Sequence, residues 1–545
     1  MEKPGTHDAS SFVAAALGSS RWRSAVVWAL CVVLFTGALG RLDLFEPDET
    51  RHAEIAAEML AGGGFLTPHL QGKPYYDKPV FYHWEVAASM ALFGANETAA
   101  RLPSALAGLW TLLMAAWFAR RVYSRAAADL TVVGLATTAC FTAVGRYVLI
   151  DMTFTAVLTT AFVWLGLWFV DSERPRSILP VYAITGLAVL IKGPVAVVLV
   201  GSVAVIMALS RFGRRGISRL RPLAGFLVGS AVCVPWYLAA WLSDPTYMET
   251  FLWTNNVERY LAGGHVGHPH PWYYYAWTMP AALLPWVFLM PAAIRERTKK
   301  SVRSPADVYL LVWAAVVVVF FTTANSKIVT YVLPAFPALV CLTAAYVADA
   351  LSGDRPALPK AAVALCNAWI WVMAFVYLVA SAYVFAYLRE WSVAVAGIGG
   401  VSLLTAMGIR AWRQPDVPTI LSMTALTMAI AIVLVFVGPV AQLYNHGFSE
   451  AVPAKIIAAD LPAGAPVLAY RQGGHAVAFY DGRFVDRIDD IPELTRRLEQ
   501  SPRAALLVRL RYLDRLGLDP LPPGYEVAWQ SIRDDALILK RPLDG

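Results

Sequence analysis

The stretch 44-LFEPDETRHAEIAAEMLAGGGF-65 decides how this chain is read. It follows an apolar run and opens with three carboxylates in four residues, Glu46, Asp48 and Glu49, with Arg51 close behind. From there Ile55, Met59 and Leu60 fall on one side of a helix and Glu54 and Glu58 on another. The densest acidic cluster of the chain therefore stands at the edge of an apolar segment, where a span meets water.

The rest of the sequence makes that segment a membrane span. Of 545 residues, 58% are hydrophobic and 15% are charged. A soluble domain cannot bury that much apolar surface, so the chain is an integral membrane protein. Long apolar runs alternate with short polar breaks, which indicates helices rather than a barrel of short alternating strands. The net charge of +7 resides in short loops between the runs, where it sets orientation and gives no reason to expect a nucleic-acid partner.

Apolar segments near 24–41, 101–120, 127–145, 150–170, 178–192, 194–210, 222–242, 275–293, 306–324, 329–350, 361–388, 391–410 and 417–443 give about thirteen spans. The segment 79–93 is short and carries His83 and Glu85 in mid-run, so it reads as a juxtamembrane helix. With the N-terminus inside, Lys and Arg gather in the inner turns, and counting 79–93 as a span would break that pattern. The first apolar run is long enough to stay as an anchor, and no cleavable signal is visible.

Beyond residue 444 the composition becomes soluble-like. "APVLAY", "AALLVRL" and "YEVAWQ" read as strands, and "DIPELTRRLEQ" as an Asp-capped helix. The expected organisation is a mainly α, polytopic membrane domain over 1–444, with juxtamembrane helices in 45–95 and 243–274. A small outside α/β domain follows over 445–545. All five cysteines lie in apolar runs, so disulfides are not expected to brace that domain.

Assigning the ionisable residues to sides collects them on one leaflet. Glu46, Asp48, Glu49, Arg51, Lys73, Asp77 and Lys78 lie in the first outer loop; Arg146 and Asp151, Lys192, Arg259, and Lys327 with Tyr331 come from later outer segments. Each has a plain alternative. Asp48 can cap the helix that follows it. Asp151 can be solvated by headgroups, and Lys192 and Lys327 can reach lipid phosphate. Glu46, ahead of the proline, is expected to face solvent. Together on one side the residues argue for a site. Lysine and arginine suit phosphate, and a carboxylate among them suits base catalysis or stabilisation of a cationic sugar. A pump or channel would place acids in mid-span, whereas these sit at the mouth. The residues point to an enzyme acting on phosphate-bearing lipids at the outer leaflet; a headgroup flippase is the rival.

"EPDETRHAEIAAEML", "GKPYYDKPVFYHW", "NNVERYL", "GHPHPWYYY", "LPW" and "SKIVTYVLPAFP" resemble the GT-C polyprenyl-phosphate glycosyltransferases, and more narrowly the bacterial lipid A aminoarabinose transferases. The resemblance implies a GT-C bundle in the bacterial inner membrane, with its site and C-terminal domain facing the periplasm. It implies an undecaprenyl-phosphate sugar donor, a lipid A or other lipid acceptor and transfer with inversion. It implies Asp48 as the catalytic carboxylate and Asp151 as the second. It makes Lys78, Arg51, Lys192 and Arg259 phosphate ligands, with Lys327 and Tyr331 closing the site. A protein or glycan hydroxyl as acceptor remains an alternative. One departure is Asp77 in "DKP", where the family usually has Glu. Some members hold a metal between the first and fourth outer loops. Asp77 and a histidine group, His265, His268 and His270, are near that description, but no metal or other cofactor is assigned.

Overall fold

The structure is a computed structural model that describes residues 20–170, 176–258, 268–299, 301 and 303–542. Arg259 and His265 lie outside the described residues. Among the described residues ten helices are long and apolar enough to cross a membrane: Ser24–Arg41, Glu97–Val122, Ile150–Val170, Val195–Phe212, Pro222–Ser243, Pro305–Thr323, Val329–Ser352, Lys360–Leu388, Trp391–Arg413 and Val417–Gly447. They coincide with ten of the expected spans.

The other three expected spans are irregular. Arg125–Ala136 and Ala139–Gly145 meet at a bend of 70°, and Tyr274–Ala282 and Trp286–Thr298 at one of 115°. The two breaks face each other. Ala139 N donates to Leu284 O at 3.1 Å, and Trp286 Nε1 donates to Thr137 Oγ1 at 3.0 Å. Each break thus satisfies polar groups that the other has freed, which a low-dielectric environment requires. The third, Leu179–Lys192, has 14 residues. At 1.5 Å per residue it reaches about 21 Å, less than the hydrocarbon thickness of about 30 Å. It ends at Lys192 because Gly193, with φ of 90°, and Pro194 stop the helix. The chain then turns back, and the Tyr182 hydroxyl donates to Leu220 O at 2.8 Å beyond the returning helix.

The first loop carries two helices, Asp48–Leu60 and Phe81–Phe93, each of 13 residues and neither a candidate span. The second of them lies within the 79–93 segment expected not to span. In the fourth loop, Pro245–Met248 runs into a π-helical turn, Glu249–Glu258.

After residue 444 a five-stranded sheet forms from Val467–Tyr470, Val485–Ile488, Ala504–Arg509, Tyr525–Gln530 and Asp535–Lys540. Val467–Tyr470 pairs in parallel with both Val485–Ile488 and Ala504–Arg509. Asp535–Lys540 runs antiparallel to Ala504–Arg509 and to the edge strand Tyr525–Gln530. One face packs Leu468, Leu506 and Val508 against Leu494 and Leu498 of helix Ile491–Gln500. The other packs Val467, Ala505 and Leu507 against Ile457 and Val477 of helices Ala451–Asp460 and His475–Asp481. The three expected strands and the helix capped by Asp490 are present; Val485–Ile488 and Asp535–Lys540 are additions. All five cysteines are free.

Candidate active site

The Asp48–Leu60 helix holds the candidate site in place. Its first residue is Asp48, its N-cap is Pro47, and no side chain makes a cap hydrogen bond. The capping role open to Asp48 in the sequence is therefore not what its side chain does. Its carboxylate is 55% exposed and takes the Arg51 guanidinium at 2.5 Å. Next to it, Glu49 turns the opposite way and is fully buried. It receives Arg101 Nε at 2.8 Å and Arg101 NH2 at 2.6 Å. It also accepts from the backbone N–H of Phe45 at 3.0 Å and of Val148 at 2.8 Å. Arg101 spends its remaining N–H groups on the carbonyls of Leu39, Leu42 and Asp43. One buried pair thus fastens the motif helix to the ends of three membrane segments, with every polar atom satisfied as a buried charge requires.

Lys78 lies on the same loop, its Nζ donating to Asp77 O at 3.0 Å, while Lys78 O accepts from the Tyr247 hydroxyl at 2.7 Å. Asp77 accepts from Asn255 Nδ2 at 3.3 Å, which joins the first and fourth loops. His52 and His83 form a buried pair at 3.1 Å. Burial, reinforced by Arg51 and Lys78, pushes the His83 imidazole down to about 3. His268 and His270 bond the segment around residue 325, and among the described residues no three His, Cys, Asp or Glu side chains gather as metal ligands.

A second group comes from later segments. Asp151, at the head of the Ile150–Val170 span, takes Lys192 Nζ on one oxygen and Thr330 Oγ1, at 2.9 Å, on the other. Lys192 also lies 4.4 Å from the centre of the Tyr331 ring. Asp151, Lys192 and Tyr331 are thus brought together, with the lysine already partnered by a carboxylate. Lys327 is not part of either group. It is buried, and its ammonium donates to His270 O at 2.9 Å and to Ala324 O, pinning the fourth loop to the head of the next helix. Arg146, also buried, donates to Leu34 O and Gly37 O. Thr153 Oγ1 donates to Glu85 at 3.0 Å, and burial pushes the Glu85 carboxyl up to about 7.

The expectation that Glu46 faces solvent is overturned. Glu46 accepts from Thr50 Oγ1 and, across 429 residues, from the backbone N–H of His475 at 3.0 Å. The His475 ring reaches Glu54 Oε2 at 2.7 Å. Gln71 donates to Glu54 and Glu58, and its own Oε1 accepts from Val485 N at 2.7 Å. The back of the Asp48 helix is thus clasped by the C-terminal sheet while Asp48 faces outward. Burial, with Glu58 nearby, pushes the Glu54 carboxyl up to about 9, so it is protonated near neutrality. Burial lowers His475, and the pair is a neutral hydrogen bond.

Sequence reasoning missed Arg101, His475 and Thr330, and for Glu49 and Glu54, which it did single out, it missed the partners. Of the three missed residues only Arg101 left a signal, a charge at the head of an apolar span.

Residues 77–239 match the family model for dolichyl-phosphate-mannose-protein mannosyltransferase. The chain is 34% identical over 324 residues to the undecaprenyl phosphate-alpha-4-amino-4-deoxy-L-arabinose arabinosyl transferase of Edwardsiella ictaluri, covering 58% of this chain and 57% of that one. It is 32% identical over 339 residues to the Aeromonas salmonicida protein of the same name, covering 60% of this chain and 61% of that one. The match thus spans about three fifths of those relatives' length. Among solved structures, ArnT from Cupriavidus metallidurans bound to undecaprenyl phosphate superposes with a TM-score of 0.77 at 22% identity, covering 96% of this chain and 98% of that one. This chain is a polytopic helical membrane protein that shares the fold of ArnT over nearly its whole length, and its residues 77–239 match the mannosyltransferase family model.

Proposed function

We propose that the chain is an inverting glycosyltransferase that moves a sugar, 4-amino-4-deoxy-L-arabinose, from undecaprenyl phosphate to a lipid A phosphate. It would act as a monomer at the periplasmic leaflet of the inner membrane. The observation that carries this reading is the division of labour in the Pro-Asp-Glu motif. Glu49 is spent on a fully buried pair with Arg101, and that pair leaves Asp48 half-exposed beside Arg51 at the membrane edge. The aminoarabinose transferase relatives and the ArnT likeness support the choice of sugar and donor.

In this mechanism the bond from the anomeric carbon to the donor phosphate breaks, and a bond to an acceptor phosphate oxygen forms. The acceptor is already ionised, so no proton has to leave it. The Asp48 carboxylate stabilises the cationic sugar as the bonds exchange. Arg51, Lys78 and Arg259 hold the leaving undecaprenyl phosphate as its charge grows. Asp151 orients Lys192 toward the same phosphate, with Tyr331 beneath the ammonium. Lys327 acts at one remove by fixing the fourth loop.

A second reading has one observation in its favour. The matching family model is that of a protein mannosyltransferase, which favours a protein acceptor, here taken as a side-chain hydroxyl. With that acceptor Asp48 would remove the hydroxyl proton. The test is to incubate purified protein with undecaprenyl-phosphate aminoarabinose and either lipid A or a hydroxyl-bearing peptide. Sugar on the lipid A phosphate supports the main reading, and sugar only on the hydroxyl replaces it. Movement of headgroups across liposomes without turnover in detergent would favour a flippase instead.

A further inference from the structure

We propose that Arg471, Arg511 and Arg515 of the C-terminal domain form a second anion-binding surface that takes a phosphate group.

Three guanidiniums converge on one ring. Arg471 lies 5.9 Å from the centre of Tyr512, Arg511 5.3 Å and Arg515 5.9 Å. Arg471 is also 5.4 Å from the Tyr470 ring, which meets Tyr512 edge to face at 5.5 Å. Arg483, Arg487, Arg509 and Arg541 of the same domain pair with Asp481, Asp489, Asp535 and Glu526; among the described residues the three arginines around Tyr512 have no such partner. Arg471 and Arg511 each spend a hydrogen bond on Tyr512, and the three exposed guanidiniums, with no carboxylate paired to them, keep further N–H groups open to solvent. Guanidinium N–H groups match phosphate oxygens two at a time.

The topology places them where an α/β sheet ordinarily binds ligands. Val467–Tyr470 and Ala504–Arg509 are neighbouring parallel strands. The chain leaving the first runs to the face that holds Val477; the chain leaving the second runs to the opposite face, with Leu513 and Leu516. Diverging connections open a crevice at the carboxyl ends of the two strands. Arg471 immediately follows the first strand, and Arg511 and Arg515 sit in the 3-10 turns that follow the second. Arg471 is also held at φ 56°, the left-handed region that non-glycine residues rarely occupy. The turn that fixes it continues to His475, which bonds Glu54 on the Asp48 helix. A phosphate bound here would stand at the end of the domain that docks on the first loop.

The test uses the full chain in phosphatidylcholine nanodiscs, titrated calorimetrically with inorganic phosphate and with dihexanoyl phosphatidic acid. Any phosphate held near Lys78 and Arg51 is common to all variants, so differences report the three arginines. The Arg471→Ala/Arg511→Ala/Arg515→Ala variant should bind about tenfold or more weakly, since each charged hydrogen bond lost is worth that much. Replacing all three by Lys should give intermediate affinity, because the charge stays and the fork is lost. Arg515→Glu alone, in an exposed turn, should also weaken binding if the triple variant fails to fold. Equal affinity for both probes would identify free phosphate as sufficient, and preference for phosphatidate would identify a lipid headgroup; either supports the proposal. Unchanged affinity in the triple-alanine and Arg515→Glu variants, or no saturable binding by the wild type, overturns it.

Discussion

Glu49 and Arg101 are both fully buried and joined by two hydrogen bonds, of 2.8 and 2.6 Å, while Asp48, one residue away, is 55% exposed. Adjacent carboxylates of one motif therefore do opposite work. Removing one partner of a buried pair strands the other charge, at a cost of about 3–5 kcal/mol. Glu49→Ala and Arg101→Ala should each lower thermal stability sharply in detergent and lose monodispersity. Asp48→Asn should melt like wild type. Comparable melting of all three would show that the buried pair is not what fixes the helix.

The Asp151–Lys192 contact makes a prediction about coupling. If Asp151 acts by orienting Lys192, the two substitutions are not independent. Lys192→Ala and Asp151→Asn should each reduce donor turnover, and the double variant should be little worse than Lys192→Ala alone. Losses that multiply in the double variant would give Asp151 a separate role.

The clasp between Glu54 and His475 predicts a pH dependence. Glu54 goes from an ordinary 4.5 to about 9 in the folded protein. A raised pKa means that its contribution is complete below about 4.5 and is lost as pH rises through about 9. Wild-type turnover should therefore fall in alkaline buffer near that value. Glu54→Gln mimics the protonated acid, so it should keep activity at neutral pH and hold it to higher pH. Glu54→Ala and His475→Ala should be impaired throughout. A Glu54→Gln enzyme as weak as Glu54→Ala would mean that the carboxyl works ionised.

Much of this was legible from residues alone, and the failures have physical causes. The spans follow from apolar length, and the Asp48–Leu60 helix from its period. The bends at 137–138 and 283–285 did not appear, because broken and straight spans have the same composition; what differs is that the breaks bond each other. Val485–Ile488 escaped because a four-residue strand with two exposed charged residues in its middle has no readable alternation. Glu46 was expected in solvent because its partner, His475, is 429 residues away. Lys192 and Lys327 were legible as isolated cations, but not their ties to Asp151 and to backbone carbonyls, since one sequence does not report who meets whom.

An arginine at the opposite end of a span serves as the control for phosphate binding. Lys78→Ala removes a charge at the loop that also carries Asp48, and a loss of about 2–5 kcal/mol in donor use is expected for a desolvated charged contact. Arg121→Ala, at the far end of the Glu97–Val122 span, should leave donor use near wild type. Equal losses would place the donor phosphate elsewhere.

The central claim is that the charge of Asp48, rather than its shape, drives the transfer. Asparagine keeps the size and hydrogen-bonding oxygen of the side chain, and the helix needs no cap from it. Removing a preorganised electrostatic stabiliser costs about a hundredfold or more in rate. The decisive measurement is turnover of undecaprenyl-phosphate aminoarabinose by equal amounts of monodisperse wild-type and Asp48→Asn protein. A loss of about a hundredfold or more with unchanged melting is the predicted result; turnover by Asp48→Asn close to that of an active wild type would contradict the account.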